Sequence, residues 1–399
     1  MGCFVPLGQN HARILSFLNK KIKNNPHTER KTLVNKTKMT VASALLALLV
    51  AGCMGMGGEQ TSNVATIDLA DTTPAAVNAP VTAAAADETT TGVVAAAEVL
   101  LAMLDESQRT KALFAFDNDE QRANWSNLPT GIYQRAGLRM GDLSQEQRDA
   151  VYTVLAATLS PEGYQRVVDQ VVGDEVLKGT DGGGNLIFGQ DEYYFSILGT
   201  PSATDPWMWQ FGGHHLAINA TIVGGTIALT PSLTGGQPIK YSYEGREVFQ
   251  WQEENDLAFA LINALDADQQ AQAILGDSAI NPVLGPGEDG KTIQPEGIQV
   301  ATLNAEQQAL LLDLVRVRVG LLKADDATAK MAEIEANLAE TWFTWYGPTT
   351  NGEAAYYRIQ GPTLYIEYSP QSMGGSATNH IHAMFRDPTN DYGAGLINP

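Results

Sequence analysis

Apolar residues in this 399-residue chain recur with a helical period in some stretches and a strand period in others, in blocks and not in alternation. From Val93, the spacing of Val94, Val99, Leu101, Leu104, Leu113 and Phe114 follows about 3.6 residues per turn. Ser144 followed by Glu146 and Gln147 reads as a capped helix start, and Ser160-Pro161-Glu162 opens another helix. After a loop at 181–185, residues 186–252 carry strand-like runs at 193–198, 215–223, 226–229 and 248–251. Gly224-Gly225 between two β-branched runs predicts a two-residue hairpin. Helical spacing returns at 256–274 and 304–322. Strand patterns follow at 341–368, with Gln360-Gly361-Pro362 as a turn, and at 380–385. Such blocks predict an α+β fold: N-terminal helices and two further helical stretches packed on a mainly antiparallel sheet. Similar phrases beginning at Leu143, Leu265 and Leu303 place acids and Gln at helix starts. Their unequal spacing argues against a true repeat.

The chain divides into three. Residues 1–53 read as a signal peptide: a basic region with Lys20, Lys21, Lys23, Arg30, Lys31, Lys36 and Lys38, then an apolar run at 41–51. That run is too short for a bilayer core, which needs about 20 residues. Leu49-Val50-Ala51-Gly52-Cys53 looks like a lipobox, which makes Cys53 the lipidation site and acyl chains the membrane attachment. Met39 is an alternative start, but it discards the positive charges. Residues 54–92, rich in Gly, Thr, Ala, Pro and Ser, read as a flexible tether. Residues 93–399 read as one globular domain, carried on an exported lipoprotein of the cell envelope.

Charge and cysteine usage narrow the function. The formal net charge is -20, and removal of the basic leader makes the processed chain more acidic still. That disfavours nucleic acid, whose binding rests on phosphate neutralisation. The only cysteines are Cys3 and Cys53, so the domain offers no disulfide, thiolate ligand or cysteine nucleophile. Gly-x-Ser-x-Gly, His-Glu-x-x-His and Gly-Lys-Ser/Thr motifs are all missing.

Of six histidines, His11 and His27 lie in the leader and the rest form two pairs, His214-His215 and His380-Ile381-His382. His-x-His on a strand puts both imidazoles on one face. Adjacent histidines on a strand point oppositely, so one of His214 and His215 joins the other pair's site and its neighbour plays a supporting part. A three-His group suits zinc, copper or iron. Glu367, Asp387 and Asp391 are the carboxylates available to complete the ligand set or act as base, and Arg386 either clamps a neighbouring Asp or contacts an anionic substrate. The competing readings are a metal-free polar site and a purely structural role for the histidines. The aromatic groups at Trp207, Trp209, Phe211 and at Trp342, Phe343, Trp345, Tyr346 read as core, with a ligand-pocket wall as the alternative.

Residues 212–219 (Gly-Gly-His-His-Leu-Ala-Ile-Asn), Thr230-Pro231, residues 356–362, Ile366-Glu367-Tyr368 and residues 380–393 resemble domain-of-unknown-function family 3500. Phe116, Trp125 and Pro129 match in order. The resemblance covers the whole globular part and implies one intact domain found on exported proteins. It implies no activity. The expectation for function is a metal-dependent hydrolytic or oxidative enzyme acting on a small molecule. The alternative is a non-catalytic ligand-binding envelope lipoprotein.

Overall fold

A computed structural model describes residues 85–181 and 185–398. The leader, Cys53 and nearly all of the expected tether lie outside the described residues. The helix α1, Glu88–Met103, starts inside the stretch assigned to the tether, because Asp87 and Thr90 form a capping box that Thr-rich composition disguised. α2 spans Glu106–Ala112, α3 Asp119–Arg122, α4 Gln145–Thr158 and α5 Pro161–Asp181. Ser144 caps α4 as its sequence predicts, and Ser160 Oγ accepts from Gly163 N at 2.8 Å beside the Pro161 start of α5.

The first-half strands are β1 (Leu113–Phe114), β2 (Leu138–Arg139), β3 (Tyr194–Leu198), β4 (Trp207–Gly213), β5 (Leu216–Val223), β6 (Thr226–Ala228) and β7 (Ser232–Gly236). A separate hairpin, β8 (Lys240–Tyr243) and β9 (Arg246–Phe249), leads to α6, Gln252–Ala264, and α7, Ala267–Ala273. The expected single helix at 256–274 is therefore two helices, broken where Asp266 caps the second. β10 (Ile274–Gly276), β11 (Ile298–Gln299), α8 (Ala305–Val319), α9 (Ala324–Ala336), β12 (Trp342–Tyr346), β13 (Tyr356–Gly361), β14 (Leu364–Pro370), β15 (Ile381–Arg386) and α10 (Ala394–Ile397) complete the chain. Helices and a large, mainly antiparallel sheet confirm the α+β class.

The expectation against a repeat is corrected. The sheet runs β1-β3-β4-β5-β7-β15-β14-β13-β12-β10, with β2 on β3 and β11 on β12, so two like halves meet at the antiparallel β7–β15 pair. β1 lies parallel to β3 as β10 lies parallel to β12. Asp105 and Asp266 cap α2 and α7; Ser144 and Asn304 cap α4 and α8. Gln108 bonds Gln147 just as Gln269 bonds Gln307, and the second Gln of each pair reaches a carbonyl ending the first helix, Met103 or Ala264. The matching phrases are Leu104 with Leu265 and Leu143 with Leu303, whose spacings agree to within one residue. Comparing phrases from non-equivalent positions concealed the duplication.

Period-two alternation sorts the sheet into two faces. Ile218, Ile222, Ile359, Ile366, Ile381, Ala383 and Phe385 join the helices in the main core. The other face carries Ala217, Leu233, Met384 and Tyr365 beneath non-helical segments that supply Trp125, Leu284 and Ile293. Trp207, Trp209, Phe211, Phe343 and Trp345 are at most 1% exposed, which makes them core and not pocket wall.

Candidate metal centre

His382 opposes Gly235 on β7 and Ser369 on β14, and shares its parity with Met384, so it projects from the sheet's second face. His380 sits one residue before β15. Its Nδ1 lies 2.7 Å from the Met373 carbonyl, which can only accept, so Nδ1 carries the proton and the Nε2 lone pair is free. That Nε2 lies 2.8 Å from His215 Nε2 and 3.1 Å from His382 Nε2. The ligand atoms of His215, His380 and His382 all fall within 4.8 Å of one another, across a sequence separation of 165 residues between the first two.

The histidine pair between β4 and β5 is not part of a strand. Gly213 pairs with Leu216, leaving His214 and His215 as a two-residue hairpin turn, with His215 at φ 62. A left-handed conformation at a non-glycine residue costs energy and is held by its surroundings. The turn stacks the two rings, with centroids 3.6 Å apart, instead of pointing them oppositely. His215 joins the three-His group. His214 turns to Asp174, Nδ1 to Oδ1 at 2.7 Å, while the other Asp174 oxygen accepts from Gly189 N at 2.8 Å.

With His380 Nδ1 protonated, both Nε2 neighbours compete for one lone pair when all three imidazoles are neutral. Burial holds His215 and His382 well below the usual imidazole pKa, helped by their imidazole neighbours, and pushes His380 down to about 4 against the raising effect of its Met373 bond. The single Nε2 lone pair of His380 faces two nitrogens at once. A tetrahedral ion bound at about 2.0–2.1 Å by each nitrogen would set them about 3.3 Å apart; the two separations from His380 are 2.8 and 3.1 Å, and all three ligand atoms lie within 4.8 Å of one another. The chemistry of the donor set therefore fits a borderline metal ion.

Supporting groups come from loops. The Asn127 amide nitrogen Nδ2 lies 3.3 Å from His382 Nδ1; with the amide flipped, its oxygen accepts from a protonated Nδ1 when Nε2 ligates. Arg135 Nη2 donates to the carbonyls of Ser126 and Leu128, on either side of Asn127, at 2.8 and 2.6 Å, and to Gly213 O at 2.8 Å. It thereby ties the Asn127 loop to the histidine turn. Asn127, Arg135 and Met373 leave no periodic trace in the sequence. Asp174 does leave one: a buried acid in line with Val167 and Val171 on the apolar stripe of α5.

A family model described as a protein of unknown function, DUF3500, matches residues 86–394. The chain belongs to the DUF3500 family. No curated protein and no solved structure matches it. The matched span of this DUF3500 chain begins just before the capping Asp87 and takes in both histidine pairs and their supporting loops.

The other residues singled out at the site have partners of their own, and for Arg386 the contacts favour the clamp over the anion contact. Glu367 is on the same face as His382, but accepts from Val283 N at 2.7 Å, Leu284 N at 3.0 Å and the Tyr356 hydroxyl at 2.5 Å. Burial raises its pKa, partly offset by these bonds. Arg386 is a clamp: Nε and Nη2 donate to Leu284 O and Gly285 O, and Nη1 contacts Asp289 and Asp391, each at 2.9 Å. Asp387 pairs with Lys330 and accepts from Thr389. Glu367 and Arg386 fasten the segment around 283–289 over the sheet, while Asp387 ties the end of β15 to α9. They belong to these fastenings, while the three histidines form the metal-type group.

Proposed function

We propose that this DUF3500 chain is a metalloprotein in which His215, His380 and His382 hold one divalent transition ion, zinc, copper or iron, for hydrolytic or oxidative chemistry on a small molecule. The observation that carries this reading is the convergence of three Nε2 atoms, with His380 Nδ1 already committed to a carbonyl. Three protein nitrogens leave a fourth position for water or substrate, the pattern of catalytic and not structural zinc sites. The His214–Asp174 pair, stacked against His215, is placed to orient that ligand ring and to serve as an acid–base partner. Burial of all three ligands to 6% exposure or less favours a second reading, a non-catalytic metal-holding module. Metal analysis of the purified chain tests the proposal. About one equivalent is expected, with a large loss in His380→Ala and His382→Ala; trace metal that neither change alters would end it. Turnover lost on chelation and restored by metal separates the enzyme from the module.

The same reading places the domain outside the cytoplasm, anchored through Cys53, on the support of the basic leader, the short apolar run and the cysteine that closes it. Among the described residues no helix is long and apolar enough to cross a membrane. Radiolabelled fatty acid is expected to enter the full chain and to be absent from Cys53→Ala. Equal labelling of both forms would remove the anchor from the account.

A further inference from the structure

A second candidate site lies on the helix-covered side of the sheet, where α5, α6 and α8 approach β7. A cavity of about 220 Å³ opens there, lined by Gln170, Thr234, Trp251, Glu254 and Arg318, with Arg166 and the exposed Glu253 also bordering it. This is smaller than the roughly 300–1,000 Å³ of pockets for drug-sized ligands.

The two halves of the fold differ at this point. In the first half, Trp209 Nε1 donates to Thr158 Oγ1 at 3.1 Å, a neutral contact sealed in the core. The matching positions in the second half are Tyr357 and Arg318, and they meet Glu254 instead. The resulting ion pair is buried, with side chains 3% and 1% exposed. Arg318 spends its donors on Glu254 and Thr234, so the floor of the cavity is polar but internally neutralised. The other charged lining groups are paired as well, Arg166 with Glu253 and Asp169 with Arg246.

Glu254 Oε2 and Arg318 Nη2 meet as an ion pair, and one neutral lining group is left without a partner. Gln170 is 5% exposed, lines the cavity, and its Oε1 has no partner among the described residues. A buried acceptor without a donor costs about 1–3 kcal/mol in general, and such an atom calls for a ligand or ordered water. Trp251 adds a second sign. It holds φ 58, a left-handed conformation rare for a bulky residue, and residues in that state cluster at ligand clamps. Its six-membered ring lies against Gly236, where an added Cβ would meet it at 2.9 Å, so glycine is required for that approach. Phe249, 44% exposed, also lines the cavity.

We propose that this cavity binds a neutral, hydroxyl-rich six-membered ring, a monosaccharide in the pyranose form. A hydroxyl donates to Gln170 Oε1, the ring's C–H face lies on Trp251, and Arg166 and Glu253 meet the outer hydroxyls. Neutralised charge selects a neutral ligand, the orphan acceptor selects a donor, and the aromatic wall selects a flat apolar face. The site is independent of the histidine centre.

Isothermal titration of the full chain with D-glucose, D-galactose and D-mannose tests it, with glycerol as a control that has hydroxyls but no ring face. Saturable binding of at least one sugar is expected, and none of glycerol. Gln170→Leu is expected to weaken it about tenfold, the effect of one lost hydrogen bond. Trp251→Ala is expected to abolish it, and Trp251→Phe to retain part of it. Gln170→Leu folds as well as the parent, because Oε1 has no protein partner to lose, so it decides the matter even where Trp251→Ala does not fold. No saturable sugar binding, equal binding of glycerol, or unchanged affinity in Gln170→Leu would overturn the proposal.

Discussion

Zinc added to the metal-free chain at a thousand times its dissociation constant is expected to stabilise the fold by about 4 kcal/mol, and His382→Ala to remove that gain. Only the folded state brings His215, His380 and His382 together, since His215 and His380 are 165 residues apart in sequence, so binding energy appears as folding energy. His214→Ala is expected to keep the metal with weaker affinity, because His214 stacks on a ligand and bonds Asp174 without joining the group. The gain also depends on pH. Burial depresses the folded-state pKa of all three imidazoles, that of His380 to about 4, while an unfolded imidazole titrates near its ordinary value of 6.5. Between those values the unfolded chain binds protons that the folded chain does not. Stability is therefore full above about pH 6.5 and falls as pH drops towards about 4. Metal sharpens that loss, because protons compete for the ligating nitrogens. Thermal unfolding with and without zinc from pH 8 to 4 reads both effects; a zinc-dependent shift that survives His382→Ala would contradict them.

The largest purely structural effect is expected at Glu254. Its replacement by alanine leaves the buried Arg318 guanidinium with only Thr234 and should cost about 3–5 kcal/mol, read as a lower denaturant midpoint. Tyr357 loses its acceptor in the same change. Replacing both charges, Glu254→Leu with Arg318→Met, is expected to recover most of the loss, because the desolvation of two ions is then no longer opposed to folding. The matching neutral contact between Thr158 and Trp209 shows that this fold closes the same position without charge. A single Glu254→Ala variant within 0.5 kcal/mol of the parent, about the ordinary spread for surface changes, would show that the pair carries little.

Much of this was legible in the residues. Ser144, Pro161, Asn304 and the Gly224-Gly225 hairpin follow from local chemistry, which acts within a few positions and survives folding unchanged. The convergence of His380, one residue before β15, with His382 on it followed from strand periodicity. His214-His215 did not. The run from His215 looks like a strand, but Gly213 and Leu216 close the hairpin around the pair, and a turn reverses the geometry that alternation predicts. Helix α9 was not read because its sequence carries only Met331 and Ile334 as large apolar residues, and Ile334 is its buried contact. Asn127, Arg135 and Met373 reach the centre from loops whose placement depends on the whole sheet. Glu367 and Arg386 were expected at the site because they are the nearest strand carboxylate and the nearest strongly basic residue to the His380–His382 pair in sequence. Beside the near neighbours Tyr356 and Asp391, their partners lie about 80 to 100 residues upstream, in a loop that sequence spacing does not locate.

X-ray absorption at the metal edge tests the three-histidine assignment most directly. The chain loaded with one equivalent of zinc should show nitrogen neighbours at about 2.0–2.1 Å with the outer-shell scattering of three imidazoles, falling to two in His215→Ala. A spectrum of oxygen neighbours alone, or one identical in the parent and in the chain lacking His215, His380 and His382, would contradict it.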